Sequence, residues 1–200
     1  MSGTVANPGD ILPRDAAIPG DSGVWFFIFA DMCAFALFFL IFSVGRMAQP
    51  ALYEAARQQL DLNLGLANTI ILLTSGAFMA AANRQARSGN WNAARRNLLL
   101  TLATGSLFAA TKAFEWGTKL QHGIGLTTSE FFTYYFVFTG IHFLHFVVGI
   151  AVLIVLISRC RTDLPQAERL RWIEAGGAYW HMVDLLWIVL FAMLYLQRAA

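Results

Sequence analysis

The sequence is 200 residues long, and its composition excludes an ordinary soluble domain. Hydrophobic residues make up 58% of it and charged residues 13%, whereas soluble domains carry roughly 25% charged residues. The 14 basic and 12 acidic residues give a net charge of +2, so there is no broad cationic surface for nucleic acid. A chain with so little charge needs apolar surroundings, and we therefore expect an all-α polytopic membrane protein.

The predicted elements begin with an N-terminal tail, residues 1–21, which contains three prolines and three aspartates. Behind it lie five apolar stretches, each as long as the roughly 20 residues that a helix needs to cross a bilayer. They are residues 22–45, 62–83, 97–118, 131–158 and 175–197. Without period-two alternation they do not fit barrel strands. The sequence thus predicts a bundle of five transmembrane helices over residues 22–200, with a short interfacial helix at 50–60.

Basic residues set the predicted orientation of this bundle. Nine of them lie in the tail and in the loops between the second and third spans and between the fourth and fifth, against four on the opposite side. Basic residues favour the cytoplasmic side of a membrane. We therefore expect a cytoplasmic N-terminus and a C-terminus on the outer side.

Acidic and basic side chains inside the spans need an explanation, because a charge at the bilayer centre costs at least ~2.5–3.5 kcal/mol. Asp31 lies deep in the first span. Two hypotheses apply to it: a carboxylate that binds or relays protons, or an acid hydrogen-bonded to a neighbouring helix. Lys112 and Glu115, spaced i,i+3 in the third span, share a helix face. They predict a structural pair close to the outer headgroups, which long side chains can reach.

Three of the four histidines also lie inside predicted spans. His142 and His145 share the fourth span, and His181 shares the fifth with Asp184 at i,i+3 spacing. Two imidazoles on one helix face cannot bind one haem from opposite sides, and no further Cys or carboxylate completes a metal set. Interhelical hydrogen bonding or lipid contact is the favoured interpretation, with metal or haem ligation as the alternative. The residues by themselves predict a bundle with buried polar pairs and no catalytic constellation.

Several motifs, taken together in order, resemble subunit III of the haem-copper oxidases, the cytochrome c oxidase subunit III-like family. The stretch E-A-G-G-A-Y-W-H-M-V-D-L-L-W from Glu174 is similar to the family's E-A-G-x-x-Y-W-H-F-V-D-x-x-W, with Met182 in place of Phe. The stretch T-G-I-H-F-L-H-F-V-V-G from Thr139 resembles T-G-x-H-x-x-H-x-x-x-G, and N-T-I-I-L-L-T-S-G from Asn68 resembles N-T-x-x-L-L-x-S-G.

Two acids extend the resemblance. Glu115 precedes Trp116, as an acid precedes an aromatic residue at the end of the corresponding family helix. Asp31 takes the place of the buried helix acid, which is usually Glu in the seven-helix members. The match covers about residues 22–196, and the two leading helices of the seven-helix members have no counterpart in it. This implies a five-helix form, and the opening P-G-D-S-G-V-W-F-F from Pro19 looks most like the branch associated with nitric oxide reductase.

The family resemblance implies an accessory subunit without a catalytic site, haem or copper of its own. Its partner would be the haem- and copper-bearing catalytic subunit of a cytochrome c oxidase, quinol oxidase or nitric oxide reductase in a bacterial inner membrane. The implied roles are to stabilise that subunit, to hold phospholipid and to sustain proton uptake. Two alternatives are a stand-alone haem-binding redox protein and a stand-alone proton channel.

The resemblance also selects candidate site residues. The proton-linked candidates are the two acids Asp31 and Glu115. The candidates for interhelical polar contact or lipid contact are Asn68, His142, His145, Glu174, Trp180, His181 and Asp184.

Overall fold

The computed structural model describes residues 22–161 and 164–197, and the predicted tail at 1–21 lies outside them. Six α-helices follow one another, and a π-helical turn, Ala192–Leu196, continues the last one. The helices are α1 (Ser22–Ala48), α2 (Pro50–Arg57), α3 (Leu62–Arg87), α4 (Trp91–Gln121), α5 (Glu130–Arg159) and α6 (Gln166–Phe191). The described residues contain no strand, so the prediction of an all-α fold is confirmed.

Polar side chains fix where three of the long helices begin. Asp61 accepts hydrogen bonds from two backbone N–H groups of the first turn of α3, and Asn90 and Ser129 each accept one at α4 and α5. Such N-caps satisfy donors that have no partner inside the helix. Gly89 has φ +76° and reverses the chain between α3 and α4, which few other residues would do without strain.

Four helices among the described residues are long and apolar enough to cross a membrane: α1, α3, α5 and α6 with its π-helical turn. The prediction of five such helices is therefore met only in part. The remaining long helix, α4, has 31 residues but carries Lys112, Glu115 and Lys119 in its second half. Charged side chains lower the mean hydropathy of α4.

The bundle is centred on α3, α4, α5 and α6. Helix α3 packs along α4 and α6, and α5 packs along α6, while most of α1 is exposed. The buried indole of Trp180 lies between two glycines of neighbouring helices. A Cβ on Gly105 or on Gly149 would stand 3.0 Å from its ring. Small residues at these positions let three helices approach closely, as membrane helix packing requires.

The short predicted helix is present as α2 and closes the end of the bundle opposite the arginine-rich loops. The hydroxyl of Tyr53 in α2 donates to Glu130 Oε1 at the start of α5, at 3.2 Å. Burial, followed by the nearby Glu130 carboxylate, raises the pKa of Tyr53. Lys119 near the end of α4 donates to the backbone carbonyl of Gln59 just beyond α2, at 3.1 Å. These contacts join the segment around α2 to the long helices.

Candidate functional site

Asp31 and His145 form a contact between α1 and α5. Asp31 Oδ1 lies 3.1 Å from His145 Nε2, and the two side chains are 12% and 16% exposed. The ring of Phe35 packs edge-on against the imidazole. The acid thus has a polar partner on a neighbouring helix, in a mostly apolar setting that still reaches the surface of the bundle.

The hydrogen bonds of His145 indicate which of its two nitrogens faces Asp31 as an acceptor. Its Nδ1 lies 2.8 Å from the carbonyl oxygen of Ile141. Because a carbonyl oxygen only accepts, Nδ1 must carry a proton. Nε2 is therefore the nitrogen that can take up a second proton, and it lies 3.1 Å from the Asp31 carboxylate. A proton added to either group would form a hydrogen bond between them.

Two further features define the surroundings of the pair. The hydroxyl of Tyr179 in α6 donates to the backbone carbonyl of His145 at 3.0 Å, which ties α6 to the same point of α5. The second carboxylate oxygen of Asp31, Oδ2, has no hydrogen-bond partner among the described residues.

Lys112 and Glu115 form the second polar cluster, which also contains two tyrosines. Lys112 Nζ lies 3.0 Å from Glu115 Oε2 and 3.2 Å from the hydroxyls of both Tyr135 and Tyr195. Each hydroxyl accepts from the lysine and donates to Glu115 Oε1, at 2.7 Å from Tyr135 and 2.6 Å from Tyr195. The cluster joins α4, α5 and the π-helical turn in a network whose members satisfy one another.

The position of this network corrects one sequence-based expectation. The predicted pairing of Lys112 with Glu115 is present, but the lysine is fully buried and does not extend towards the headgroups. Tyr135 and Tyr195 were not among the predicted site residues. Tyr195 lies in the π-helical turn, and such a turn changes the direction in which the following side chains project. The sequence did contain a signal for them, because each is a tyrosine in a predicted span at about the same depth in the membrane as Lys112 and Glu115.

His142 lies apart from His145, although the two are three residues apart. It is fully buried, its ring packs against Phe108 and Trp187, and neither ring nitrogen has a hydrogen-bond partner among the described residues. Within the described ranges His142 thus makes no hydrogen bond to another helix, and its interhelical polar contact or lipid contact stays a prediction. Trp187, which was not among the predicted site residues, donates to Thr69 Oγ1 at 3.1 Å.

His181 and Asp184 do not both face the interior. Asp184 is buried, with 8% of its side chain exposed, whereas His181 is 44% exposed. His181 Nδ1 lies 3.7 Å from Asp184 Oδ2, which is too long for a hydrogen bond. The expected shared face inside the bundle is thus half correct: the carboxylate is inside and the imidazole is at its surface.

The remaining candidates have separate structural contacts. Asn68 accepts a hydrogen bond from the hydroxyl of Thr111 in α4. Glu174 forms an ion pair with Arg87 at 2.9 Å, which links the start of α6 to the end of α3. Trp180, described above, has an indole N–H without a partner among the described residues. The polar contacts of Asn68 and Glu174 thus join neighbouring helices, whereas Trp180 contributes through the packing of its ring.

The three histidines of the predicted spans lie in separate settings. His142 lies in the aromatic core, His145 beside Asp31 and His181 at the surface. Over the described ranges 22–161 and 164–197, no three His, Cys, Asp or Glu side chains lie close enough together to hold a metal ion.

Comparison with known proteins gives a consistent family match. The sequence model of the family described as "Cytochrome c oxidase subunit III" matches residues 20–198. A protein of Synechocystis sp. named "Cytochrome c oxidase subunit 3" is 30% identical over 87% of this chain and 74% of its own length. A "Probable cytochrome c oxidase subunit 3" of Nocardia farcinica is 25% identical over 99% of this chain and all of its own length.

A further relative is a longer protein. The "Heme-copper oxidase subunit I+III" of Aeropyrum pernix is 32% identical over 88% of this chain, and the chain spans only 22% of it. The name of this relative combines two subunits, and the match covers a minor part of its length.

Proposed function

The chain belongs to the cytochrome c oxidase subunit III family, and on this basis we propose that it is a non-catalytic accessory subunit of a respiratory haem-copper oxidase or nitric oxide reductase complex. In this role it stabilises the catalytic subunit and supports proton uptake. The haem and copper belong to the partner. The fusion named in the Aeropyrum pernix relative supports a partnership with a subunit I of that class.

The observation that carries the proton-uptake role is the contact between Asp31 and His145. The two groups lie 3.1 Å apart, so one proton can be held between them, and the pair is not sealed from the surface. Asp31 lies nine residues from the start of α1, which is about 13 Å along a helix. With the N-terminus in the cytoplasm, this site receives protons from the cytoplasmic side and lends them to the surface of the adjoining subunit.

We also propose that α4 crosses the membrane as the fifth span. Its charges do not oppose this, because Lys112, Glu115 and Lys119 are all buried inside the bundle and not exposed to lipid. A buried and mutually hydrogen-bonded pair avoids much of the cost of placing charge in hydrocarbon. Five spans place the two chain ends on opposite sides, with the N-terminus cytoplasmic and the C-terminus periplasmic in a bacterial inner membrane.

The decisive experiment is affinity purification of the tagged full chain from its native membrane in mild detergent. We expect a haem-bearing subunit to co-purify in a constant ratio, and its haem spectrum and sequence to identify the complex as a cytochrome c oxidase, quinol oxidase or nitric oxide reductase. A preparation without any haem protein would contradict the proposal. So would a haem Soret band in the purified chain alone that disappears in His145→Ala.

A second measurement separates accessory proton uptake from a stand-alone channel. Proteoliposomes that contain only this chain should not conduct protons faster than empty vesicles. Conduction that is lost in Asp31→Asn would favour the channel and would contradict the accessory role.

A further inference from the structure

His181 combines an exposed imidazole with a position in the middle of a membrane span. It lies 15 residues from each end of the span Gln166–Leu196, which is about 22 Å of helix on either side, and its side chain is 44% exposed. The other ionisable side chains deep in the described helices are at most 16% exposed, and they are Asp31, Lys112, Glu115, His142, His145 and Asp184. Hydrocarbon offers an imidazole no hydrogen-bond partner, and ionisable groups inside membranes normally face protein. The exposure of His181 therefore needs an explanation.

The surface around His181 is otherwise apolar and is formed by α6 and α3. Leu185 and Ile188 follow His181 at i+4 and i+7 on α6, and they are 47% and 37% exposed. Residues at this spacing share one side of a helix. Helix α3 passes beside the imidazole, because a Cβ on Gly76 would stand 3.6 Å from His181 Nδ1, and Leu73, one turn from Gly76, is 50% exposed. We call the surface of these four exposed side chains, His181, Leu185, Ile188 and Leu73, the His181 face.

Asp184 lies behind the imidazole and determines which partner the ring suits. Its Oδ2 is 3.7 Å from His181 Nδ1, so the negative oxygen favours the proton of a neutral ring on Nδ1. Nε2 then carries a lone pair, and in the parts of the chain that the structure describes it has no hydrogen-bond partner. A lone pair backed by a carboxylate suits an O–H or N–H donor and disfavours an acid.

The outward surface of α1 has the opposite character. Its most exposed large side chains are Phe26, Phe29 and Met47, which are 75%, 68% and 77% exposed. None of the three needs a hydrogen-bond partner, so lipid chains can cover this surface directly. The His181 face differs, because its centre requires a hydrogen-bond donor at a depth where lipid has none.

We propose that the His181 face binds a transmembrane helix of the haem-bearing catalytic subunit, and that a hydroxyl, amide or indole group of this helix donates to His181 Nε2. Close packing of side chains and interhelical hydrogen bonds are what hold helices together in a membrane. The inference rests on the proposed accessory role. It adds to that role the side of the bundle that meets the partner and the kind of group that the partner presents.

Site-specific photo-crosslinking in the native membrane tests this surface. The photoreactive residue p-benzoylphenylalanine is placed at Leu185 or at Leu73 in the full chain, and the crosslinked products are identified by mass spectrometry. We expect both positions to crosslink to the haem-bearing subunit. The matched control position is Leu144, which is 62% exposed near the middle of α5, and from there we expect no crosslink to that subunit.

The outcomes separate this inference from the accessory role itself. If the haem-bearing subunit co-purifies with the chain but crosslinks only from Leu144, or from none of the three positions, the accessory role stands and the inference is wrong. A crosslink from Leu185 to a second copy of this chain, or to lipid alone, would also overturn it. Absence of the haem-bearing subunit from the purified material would contradict the accessory role and this inference with it.

A substitution tests the hydrogen bond at the centre of the His181 face. His181→Leu should weaken retention of the haem-bearing subunit at rising detergent concentration by roughly threefold to tenfold, the effect of losing one hydrogen bond. His181→Gln keeps an acceptor oxygen and should retain more of that subunit than His181→Leu does. The melting temperature of the isolated chain should change little in either variant, so a loss of retention does not reflect misfolding. Equal retention in His181→Leu and the wild type would overturn the proposed hydrogen bond.

Discussion

Asp31 Oδ1 and His145 Nε2 lie 3.1 Å apart, and this contact links the mostly exposed helix α1 to α5. The pair has the same net charge whether a shared proton is on Asp31 or on His145. The bundle can therefore hold the proton without creating an isolated charge in an apolar setting.

The first prediction follows from this shared proton. Asp31→Asn and His145→Gln should each lower turnover of the complex severalfold at alkaline pH and have little effect at acidic pH, because protons limit the reaction only when they are scarce. The double variant should lose no more than either single variant, since residues that act as a unit are not additive. Turnover measured against pH in the purified complex tests this. Glu168→Gln, an exposed acid outside the pair, is the control, and an equal loss at all pH values would contradict the proton role.

Hydropathy predicted most of the fold, because it measures the part of each helix that lies in hydrocarbon. The structure extends these segments with polar turns: α6 begins at Gln166 rather than at 175, and α3 ends at Arg87 rather than at 83. Composition cannot detect such turns, because polar residues such as Gln166 and Glu168 are equally typical of a loop. The predicted span 97–118 lies within α4, Trp91–Gln121, and the charges that lower the hydropathy of this helix are buried against its neighbours.

The candidate site was less predictable, and the reason is geometric. The spacing of Lys112 and Glu115 on one helix predicted their pairing, because i and i+3 are neighbours on any helix. The partner of Asp31 is 114 residues away at His145, and a single sequence does not give the rotation of α5 relative to α1. For the same reason, spacing placed His181 and Asp184 on one helix face. It did not show that Asp184 lies inside the bundle while His181 lies at its surface.

The second prediction concerns the buried network around Lys112. Lys112→Met leaves the Glu115 carboxylate in a buried position without its cation. Removing one partner of such a pair typically costs about 3–5 kcal/mol. The double variant Lys112→Met/Glu115→Gln should lose less than the sum of the two single changes, because it removes both charges. Thermal unfolding of the purified subunit in detergent measures both effects.

Lys119→Met provides the control for this network. This lysine lies on the same helix and makes one hydrogen bond, to the Gln59 carbonyl, while its ammonium lies 5.7 Å from the centroid of the Tyr135 ring without bonding to Glu115. Its loss should therefore cost about 1 kcal/mol, less than the loss of Lys112. Equal melting temperatures for Lys112→Met and the wild type would contradict a stabilising network.

The third prediction uses a glycine contact between α3 and α6. A Cβ on Gly76 would collide with Asp184 Oδ2, so Gly76→Ala must displace the buried carboxylate or separate the helices. Overpacking of this kind costs about 1–3 kcal/mol. In the matched control Gly140→Ala, a Cβ meets nothing within 4 Å, and the change should be neutral or stabilising because alanine favours helix. A lower melting temperature in detergent for the control than for Gly76→Ala would refute the packing argument.

The fourth prediction tests the orientation of the bundle. In intact cells, a thiol reagent that cannot cross the inner membrane should label a cysteine placed at Gln121, at the end of α4, and should not label one placed at Ser88, just beyond α3. Both positions are exposed, and Cys33→Ser and Cys160→Ser remove the natural thiols. The excess of arginine around Ser88 favours the cytoplasm for that side. Labelling at Ser88 but not at Gln121 would reverse the topology.

The last prediction separates Asp184 from His181. Their nitrogen and oxygen are 3.7 Å apart and the imidazole is 44% exposed, so His181→Ala should cost less than about 1 kcal/mol, as exposed ion pairs do. Asp184→Ala removes a buried side chain that fills the space beside Gly76, and it should lower the melting temperature and the retention of the subunit in the complex more than His181→Ala does. Asp184→Asn keeps the shape without the charge, and we expect it to retain the subunit as well as the wild type. If Asn and Ala at position 184 lower turnover equally while the subunit is fully retained, the carboxylate relays protons and the structural role is wrong.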